Sequence, residues 1–387
     1  MTDLSPSIDP GRLTERLVDI VKLPSENPPG DEKAAADLVA GWLDDLGLRT
    51  RMVEVEPGRP SVVARWEGTE GPRLAYCSHL DVVPAGDPSL WDHDPYGAHI
   101  EGGRLHGRGA CDAKGPLVAA LEAVAALRSS GFTPAGVLEL ALVVDEEAMG
   151  FKGAAHLVEE GIVTADVAIV GEPTSLRVVR AQRGASWFRV ITRGVAGHGS
   201  APERGVNAVQ HMAEIVTRLP ATIPDIAHPL LGGPTLNVGT IRGGEKVNII
   251  PASCIVEVDR RTIPGESPDD VVAGLQSAID GAKSVFPTID ASIELAFYAE
   301  PFEILPTARV VEVASTAVQQ QTGKPASVIG FRGASDARFF AQKGADVIVW
   351  GPGDISLAHT AHESIDLSEL EVGARAYAAA FATILSS

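Results

Sequence analysis

Apolar positions along the chain change rhythm several times, and each rhythm predicts an element. Residues 11 to 47 read as two helices, the second running from Asp31 to Leu46 with Gly47 as its stop. RTRMVEVE (49–56) and SVVARWEG (61–68) alternate in the manner of half-buried strands. RLAYCSHLDVV (73–83) and VLELALVVDEE (137–147) instead carry near-continuous apolar runs, as central strands covered on both faces do. Between them LVAALEAVAALRSSG reads as an apolar helix with Pro116 at its start and Gly131 at its end. Strand, helix and strand in that order predict a parallel α/β sheet. ADVAIVGEPT (165–174) and GADVIVWGPG (344–353) repeat the strand-then-glycine ending with which such sheets present residues at their carboxyl edge.

The rhythm shifts from about Ala181 to Phe297. WFRVITRGV, TLNVGTIRG and SCIVEVDRRTI are alternating strands, interleaved with helical stretches GVNAVQHMAEIVTRL and SPDDVVAGLQSAIDGAKSVF. The doubly covered texture returns after Pro301. The expected architecture is an α/β catalytic domain, mainly a parallel sheet with helices on both faces, built from 1–180 and 298–387. A smaller α+β domain, 181–297, interrupts it.

Composition narrows the function classes. With 387 residues, 45% of them hydrophobic and 21% charged, the chain can bury a core and is not a disordered polymer. A net charge of −19 repels phosphate backbones and anionic membrane surfaces, so neither nucleic acid nor membrane is an expected partner. No apolar run is long enough to span a bilayer, and the amino terminus shows no basic region followed by an apolar stretch, so a cytoplasmic protein is expected. Cys77, Cys111 and Cys254 show no CxxC spacing and read as reduced, buried thiols.

The informative polar residues stand at the ends of the apolar strands. His79 and Asp81 are two apart, which places both on one face of an extended backbone and suits a metal ligand with its orienting carboxylate. Asp112 lies in the glycine-rich GRGACDAKGP just before a helix, where it is either a ligand or a cap. Asp145, Glu146 and Glu147 end the strongest strand; adjacent carboxylates there repel one another unless a cation lies nearby, or else they form a solvated helix start. Glu172 in VGEPT and His359 in AHTAHES repeat the strand-end placement. Two imidazoles and three or four carboxylates at one sheet edge match the ligand set of a two-metal hydrolytic site.

The order SHLDVVP, W-x-x-D-P, GRGACDAKG, DEE, GEPT, GHGSAPERGVNA and AHTAHES resembles the metallopeptidase family that contains acetylornithine deacetylase, succinyl-diaminopimelate desuccinylase, aminoacylase and carboxypeptidase G. The resemblance runs from about Arg73 to Glu363. It implies that Asp112 bridges two zinc ions, with His79 and Glu172 completing one site and Glu147 and His359 the other; cobalt or manganese are the alternatives to zinc. It also implies that Asp81 orients His79 and that the peptide from Asp112 to Ala113 is cis. Glu146 matches the family's general base, which takes a proton from the attacking water and delivers it to the leaving amine. His362 stands where relatives more often carry Asn or Asp, so the choice of His359 as ligand rests on its spacing to Glu363. Cys111, next to the bridging Asp, is expected to pack rather than ligate.

By the same resemblance the inserted domain is a lid and dimerisation domain, and the protein a homodimer. His198 matches a histidine that reaches the partner subunit's site and stabilises the developing oxyanion. Asn248 and Arg261 match substrate-binding positions, Arg260 reads as structural or solvent-facing, and FRGASDARFF, with Arg332, Ser335 and Asp336, is expected to line or support the substrate pocket. The function these readings imply is hydrolysis of the amide bond of an N-acyl amino acid by a two-zinc-activated water. A dipeptidase or carboxypeptidase attacks the same bond type and shares the motifs. A two-metal phosphoesterase calls for several basic residues beside the metals, and a non-catalytic binding module would lack a residue such as Glu146.

Overall fold

The computed structural model describes residues 7–386, which fall into two compact units. The first takes in the described chain through Arg180, then Ile304–Ile329 and the chain from Ser335 onward. The second is Ala181–Glu303 together with Gly330–Ala334.

The first unit is built on a mixed sheet whose strands run, side by side, Arg49–Glu56, Arg59–Glu67, Ala135–Val143, Thr69–His79, Val167–Val170, Asp346–Val349 and Val178–Gln182. Its heart is parallel: Thr69–His79 pairs in parallel with Ala135–Val143 on one side and with Val167–Val170 on the other, which in turn pairs in parallel with Asp346–Val349. Parallel neighbours deliver their carboxyl ends to one edge, so His79, Val143, Val170 and Val349 finish together, and the loops after them carry the polar motifs. The sheet is covered on both faces. Leu74 and Tyr76 join a core made with helices Pro10–Val21, Lys33–Asp45, Lys114–Ser129, Arg309–Thr322 and Leu367–Ile384. The alternating Ala75 and Cys77, also buried, point to the other face, where helix Ala337–Gln342 packs on strand Asp346–Val349.

Helix Lys114–Ser129 is buried from Lys114 through Leu127, which explains why its sequence is apolar all round rather than striped. Tyr76 anchors its first turn by donating to the Pro116 carbonyl at 2.7 Å, and Tyr377 donates to the Trp350 carbonyl at 2.6 Å.

Strand Arg59–Glu67 departs from the half-buried expectation, since nearly all of it is buried. Its alternate polar residues are interior and paired: the Ser61 hydroxyl accepts from the Val144 amide at 3.3 Å, and Arg59 forms an ion pair with the fully buried Glu32. The same guanidinium reaches Asp145 Oδ1 at 3.3 Å. Gly30 lies against this arginine at φ 98°, and a Cβ there would fall 2.2 Å from Arg59 Nε.

The second unit is an antiparallel sheet in the order Thr235–Gly243, Ser253–Thr262, Gly184–Arg193, Asp290–Ala299. Strict alternation sends Phe188, Val190 and, from the neighbouring strand, Val256 into a core with Met212, Ile215, Leu275 and Ile279 from helices Ala208–Arg218 and Pro268–Lys283. Both helices start as their sequences dictate: the Asn207 side chain accepts from the Val209 and Gln210 amides, and Ser267 and Asp270 form a reciprocal capping box. This unit extends beyond the expected limit at Phe297, because strand Asp290–Ala299 continues past it and Phe302–Glu303 then pairs with Ala181–Gln182. Among the described residues no helix is long and apolar enough to cross a membrane.

Removing Glu32 leaves Arg59 buried beside Asp145 with one partner fewer. Glu32→Ala is expected to destabilise the first unit by about 3–5 kcal/mol, the usual cost of breaking a buried pair, read from the midpoint of urea unfolding.

Candidate active site

His79 ends its strand with 1% of its surface exposed. Its Nδ1 lies 2.9 Å from the backbone carbonyl of Asp81. A carbonyl can only accept, so Nδ1 carries hydrogen, and Nε2 turns to carboxylates: Asp112 Oδ1 at 3.2 Å and Glu172 Oε1 at 3.8 Å. The expectation that the Asp81 carboxylate orients this ring is therefore corrected in detail. Asp81 Oδ1 stands 3.7 Å from Nδ1, and the Asp81 side chain is committed elsewhere. It accepts from the Glu146 amide at 3.2 Å, the Glu147 amide at 3.1 Å and Asn27 Nδ2 at 2.9 Å. Asp81 thus steers the ring through its backbone and pins the Asp145–Glu147 turn through its side chain. Asp145 itself sits at φ 72°, a conformation that non-glycine residues adopt only when surroundings enforce it.

Asp112 lies between the two imidazoles. Its Oδ2 is 3.3 Å from His359 Nε2, and that nitrogen is also 3.1 Å from Glu147 Oε2. His359 adopts φ 62°, which turns its ring toward this cluster. His362 is exposed and lies instead near Asp92, 3.6 Å away. The peptide from Asp112 to Ala113 is cis. Glu363 fixes the turn that carries Asp112: one carboxylate oxygen accepts from the amides of Gly109 at 2.9 Å, Cys111 at 3.2 Å and Asp112 at 3.1 Å, while the other pairs with Arg108. Cys111 directs its thiol to the Asp354 carbonyl at 3.3 Å, and burial pushes that thiol and the Cys77 thiol upward, keeping both neutral. Cys254 is also free and buried.

Two sets of ligand atoms lie within 4.8 Å of one another: those of His79, Asp112 and Glu147, and those of His79, Glu146 and Glu172. Burial raises the carboxyl groups of Glu146 and Glu172 well above the ordinary range, reinforced by neighbouring carboxylates. Burial also raises Glu147, against the hydrogen bond from His359. For Asp112 burial works the same way, but hydrogen bonds from His359 and His79 prevail and hold it low. Hydrogen bonds to Asp112 and Glu147 lift His359 to about 10. Glu172 Oε1 is buried with no hydrogen-bond partner among the described residues. An orphaned anionic oxygen beside imidazole nitrogens and further carboxylates is a donor set that fits divalent cations.

Asp336, 1% exposed, has no hydrogen-bond partner for either oxygen among the described residues, and burial raises it to about 6. It opens helix Ala337–Gln342 in the first unit, whereas Arg332 of the same motif belongs to the second. The second unit also holds His198, Asn248 and Arg261. His198 pairs with Ile249 in a short ribbon next to Asn248. The His198 Nδ1 accepts from the Ser200 amide at 3.2 Å, which leaves Nε2 as the hydrogen-bearing nitrogen. Arg261 rests on Asp259 at 3.0 Å, while Arg260 is buried and paired with Glu266 at 2.5 Å. Arg183, unnoticed in the sequence, is pushed below the usual guanidinium range by burial and by the positive charges of Arg332 and Arg261, so this unit gathers three arginines.

The model of peptidase family M20/M25/M40 matches residues 75–383, most of the chain. The chain belongs to this family. An acetylornithine deacetylase of Proteus mirabilis (strain HI4320) is 32% identical over 354 residues, 88% of this chain and 87% of that protein. An acetylornithine deacetylase of Myxococcus xanthus is 32% identical over 336 residues, 85% and 83% of the two chains. Aminopeptidase PepT from Bacillus cereus ATCC 10987 superposes with a TM-score of 0.81 at 23% identity, over 97% of this chain and 99% of that one. An M20 family metallo-carboxypeptidase from Sulfolobus solfataricus gives the same TM-score at 20% identity, over 97% and 100%. As a member of the M20/M25/M40 family, the protein is a metal-binding hydrolase of amide or peptide bonds.

Asn27 carries no motif signal, and Glu363, though inside AHTAHES, gives no sign of its role in the sequence, because both act through long-range contacts, to Asp81 and to the Asp112 turn. Glu363→Ala leaves every candidate ligand in place but frees that turn. It is expected to weaken metal retention by about 10–100-fold, as loss of a ligand-supporting contact does, measured by competition with a chelator of known affinity.

Proposed function

We propose that this M20/M25/M40 protein is a two-zinc deacylase that hydrolyses the amide of an N-acyl amino acid, releasing a carboxylate and a free amino acid. The observation that carries the reading is the placement of Asp112 between His79 and His359, with Glu172 and Glu147 on their respective sides. Asp112 is assigned as the shared ligand, His79 with Glu172 as one set and His359 with Glu147 as the other. The ions held there would polarise the scissile carbonyl and make an attacking water more acidic. Cobalt and manganese suit the same nitrogen and oxygen donors, so zinc is the choice that metal replacement tests.

Glu146 is assigned as general base. It neighbours His79 and Glu172, and burial with like charge raises its carboxyl, which makes it a better proton acceptor than an exposed glutamate. It would take the proton from water and pass it to the departing amine nitrogen. Asp81, by holding the amides of Glu146 and Glu147, keeps the base and its neighbouring ligand in register.

The second unit is assigned as lid and dimerisation domain of a homodimer. His198 presents Nε2 as a donor suited to a developing oxyanion, and Asn248 immediately precedes the strand residue paired with it. Arg261 and Arg332, with Arg183 behind them, supply the positive charge that an amino-acid carboxylate requires. The acetylornithine deacetylase relatives, at 32% identity over most of their length, support an acyl rather than a peptidyl substrate.

The deciding assay is amine release from N-acetyl and N-succinyl amino acids and from dipeptides, with metal-stripped and zinc-restored protein. Cleavage of one acyl class on zinc restoration is expected; exclusive cleavage of dipeptides would overturn the deacylase reading. Glu146→Ala should retain its metal and lose turnover by about 10²–10⁴-fold, whereas Glu147→Ala should lose metal. Mixing Glu146→Ala with His198→Ala should recover activity above either variant if the histidine serves the partner's site; no recovery would place it in its own chain's site.

A further inference from the structure

Three of the chain's ten histidines fall between residues 93 and 106, outside every ligand assigned above. Strands His99–Glu101 and Arg104–His106 form a hairpin turned by Gly102 and Gly103, both at positive φ, and its register sets His99 directly opposite His106. Side chains opposite one another in an antiparallel pair share a face, and Glu101, two residues from His99, shares it too. His93 comes from the preceding loop and stacks on the His99 ring with centroids 3.9 Å apart. The His106 ring lies 5.4 Å from that of His93 and 6.5 Å from that of His99.

We propose that His93, His99 and Glu101, with His106 closing the fourth side, form a separate binding site for a zinc-class divalent cation. Ligand atoms of His93, His99 and Glu101 already lie within 4.8 Å of one another, and His93 Nε2 stands 3.5 Å from a Glu101 oxygen. Tetrahedral zinc with bonds of about 2.0–2.2 Å needs ligand atoms roughly 3.4 Å apart. The rotations that close this difference are open to these side chains, since His99 and Glu101 are exposed. Imidazole-rich donors select zinc, nickel or copper over magnesium and calcium, which prefer all-oxygen shells.

Electrostatics favours a cation here. The carboxylates of Asp92 and Asp94 flank His93 in sequence, and both residues line a small concavity with His93 and His106.

The test counts zinc ions per chain in the full-length protein by native mass spectrometry and titration calorimetry, with zinc alone as the probe. His99→Ala should bind one ion fewer than the wild type while its hydrolytic rate with saturating zinc is unchanged. To separate this site from the catalytic assignment, Asp112→Asn, which removes the shared catalytic ligand, should keep one ion that disappears in Asp112→Asn/His99→Ala. Equal zinc counts and affinities in the wild type and His99→Ala would overturn the proposal, as would an ion in Asp112→Asn that survives His99→Ala. Full zinc occupancy in Asp112→Asn, with the His99-dependent ion still present, would overturn the catalytic assignment alone.

Discussion

The carboxyl edge of the central sheet concentrates negative charge in a buried place, and the architecture around it is organised to make that tolerable. Asp81, Asp112, Asp145, Glu172, Asp336 and Glu363 are all buried there, with Glu146 and Glu147 beside them. Isolated buried carboxylates do not stay ionised. The protein answers in two tiers. In the outer tier, arginines and backbone amides take the load: Arg59 faces Asp145 and Glu32, Arg108 faces Glu363, and amide groups close on Asp81 and Glu363. In the inner tier, among the described residues, only His79 and His359 pair with Asp112, Glu147 and Glu172. Two imidazoles are too few for the carboxylates they meet. An excess of this kind suits divalent cations, and it raises the affinity of the Glu146 carboxylate for protons.

The turns at this edge are also tied down by contacts from far along the chain. A ligand set that must hold cations at fixed separations depends on the turns that carry it, and each turn is tied to another part of the first unit. Asn27, near the amino terminus, secures Asp81; Asp81 secures the Glu146–Glu147 turn; Glu363, near the carboxyl terminus, secures the Asp112 turn. The strained conformations of Asp145 and His359 are maintained by this mesh rather than by local preference.

Much of this was legible in the sequence, because parallel strands announce themselves as unbroken apolar runs and their ends mark where polar residues converge. His79, Asp112, Glu147, Glu172 and His359 were picked out by that logic and by motif resemblance, and the fold gathers them. What could not be read was anything fixed by pairing across long chain separations. Ser61 falls on the wet side of the half-buried strand that the alternation suggests, yet it is interior, and Arg59, outside that stretch, joins the strand and is buried because a partner reaches it. Asp81 looked like the side-chain partner of His79, but its carbonyl lies nearer the ring than its carboxylate. The end of the second unit was placed too early, since nothing in the pattern reveals that Phe302–Glu303 pairs back onto Ala181–Gln182. The histidines between 93 and 106 were overlooked because hairpin register, not spacing along the chain, brings them together.

The interruption of the first unit by the second has a consequence for how the molecule is made. His79, Asp112, Glu146, Glu147 and Glu172 all precede Ala181, while His359 and Glu363 follow Glu303. A chain emerging from the ribosome therefore exposes most of the acidic edge, together with strand Val167–Val170 still lacking its neighbour Asp346–Val349, throughout synthesis of the whole intervening unit. During that interval it has neither His359 nor the carboxylate that shapes the Asp112 turn. Strand Val167–Val170 and the Asp112 turn can reach their final partners only once the chain has been made past Glu363, so this edge closes late in synthesis.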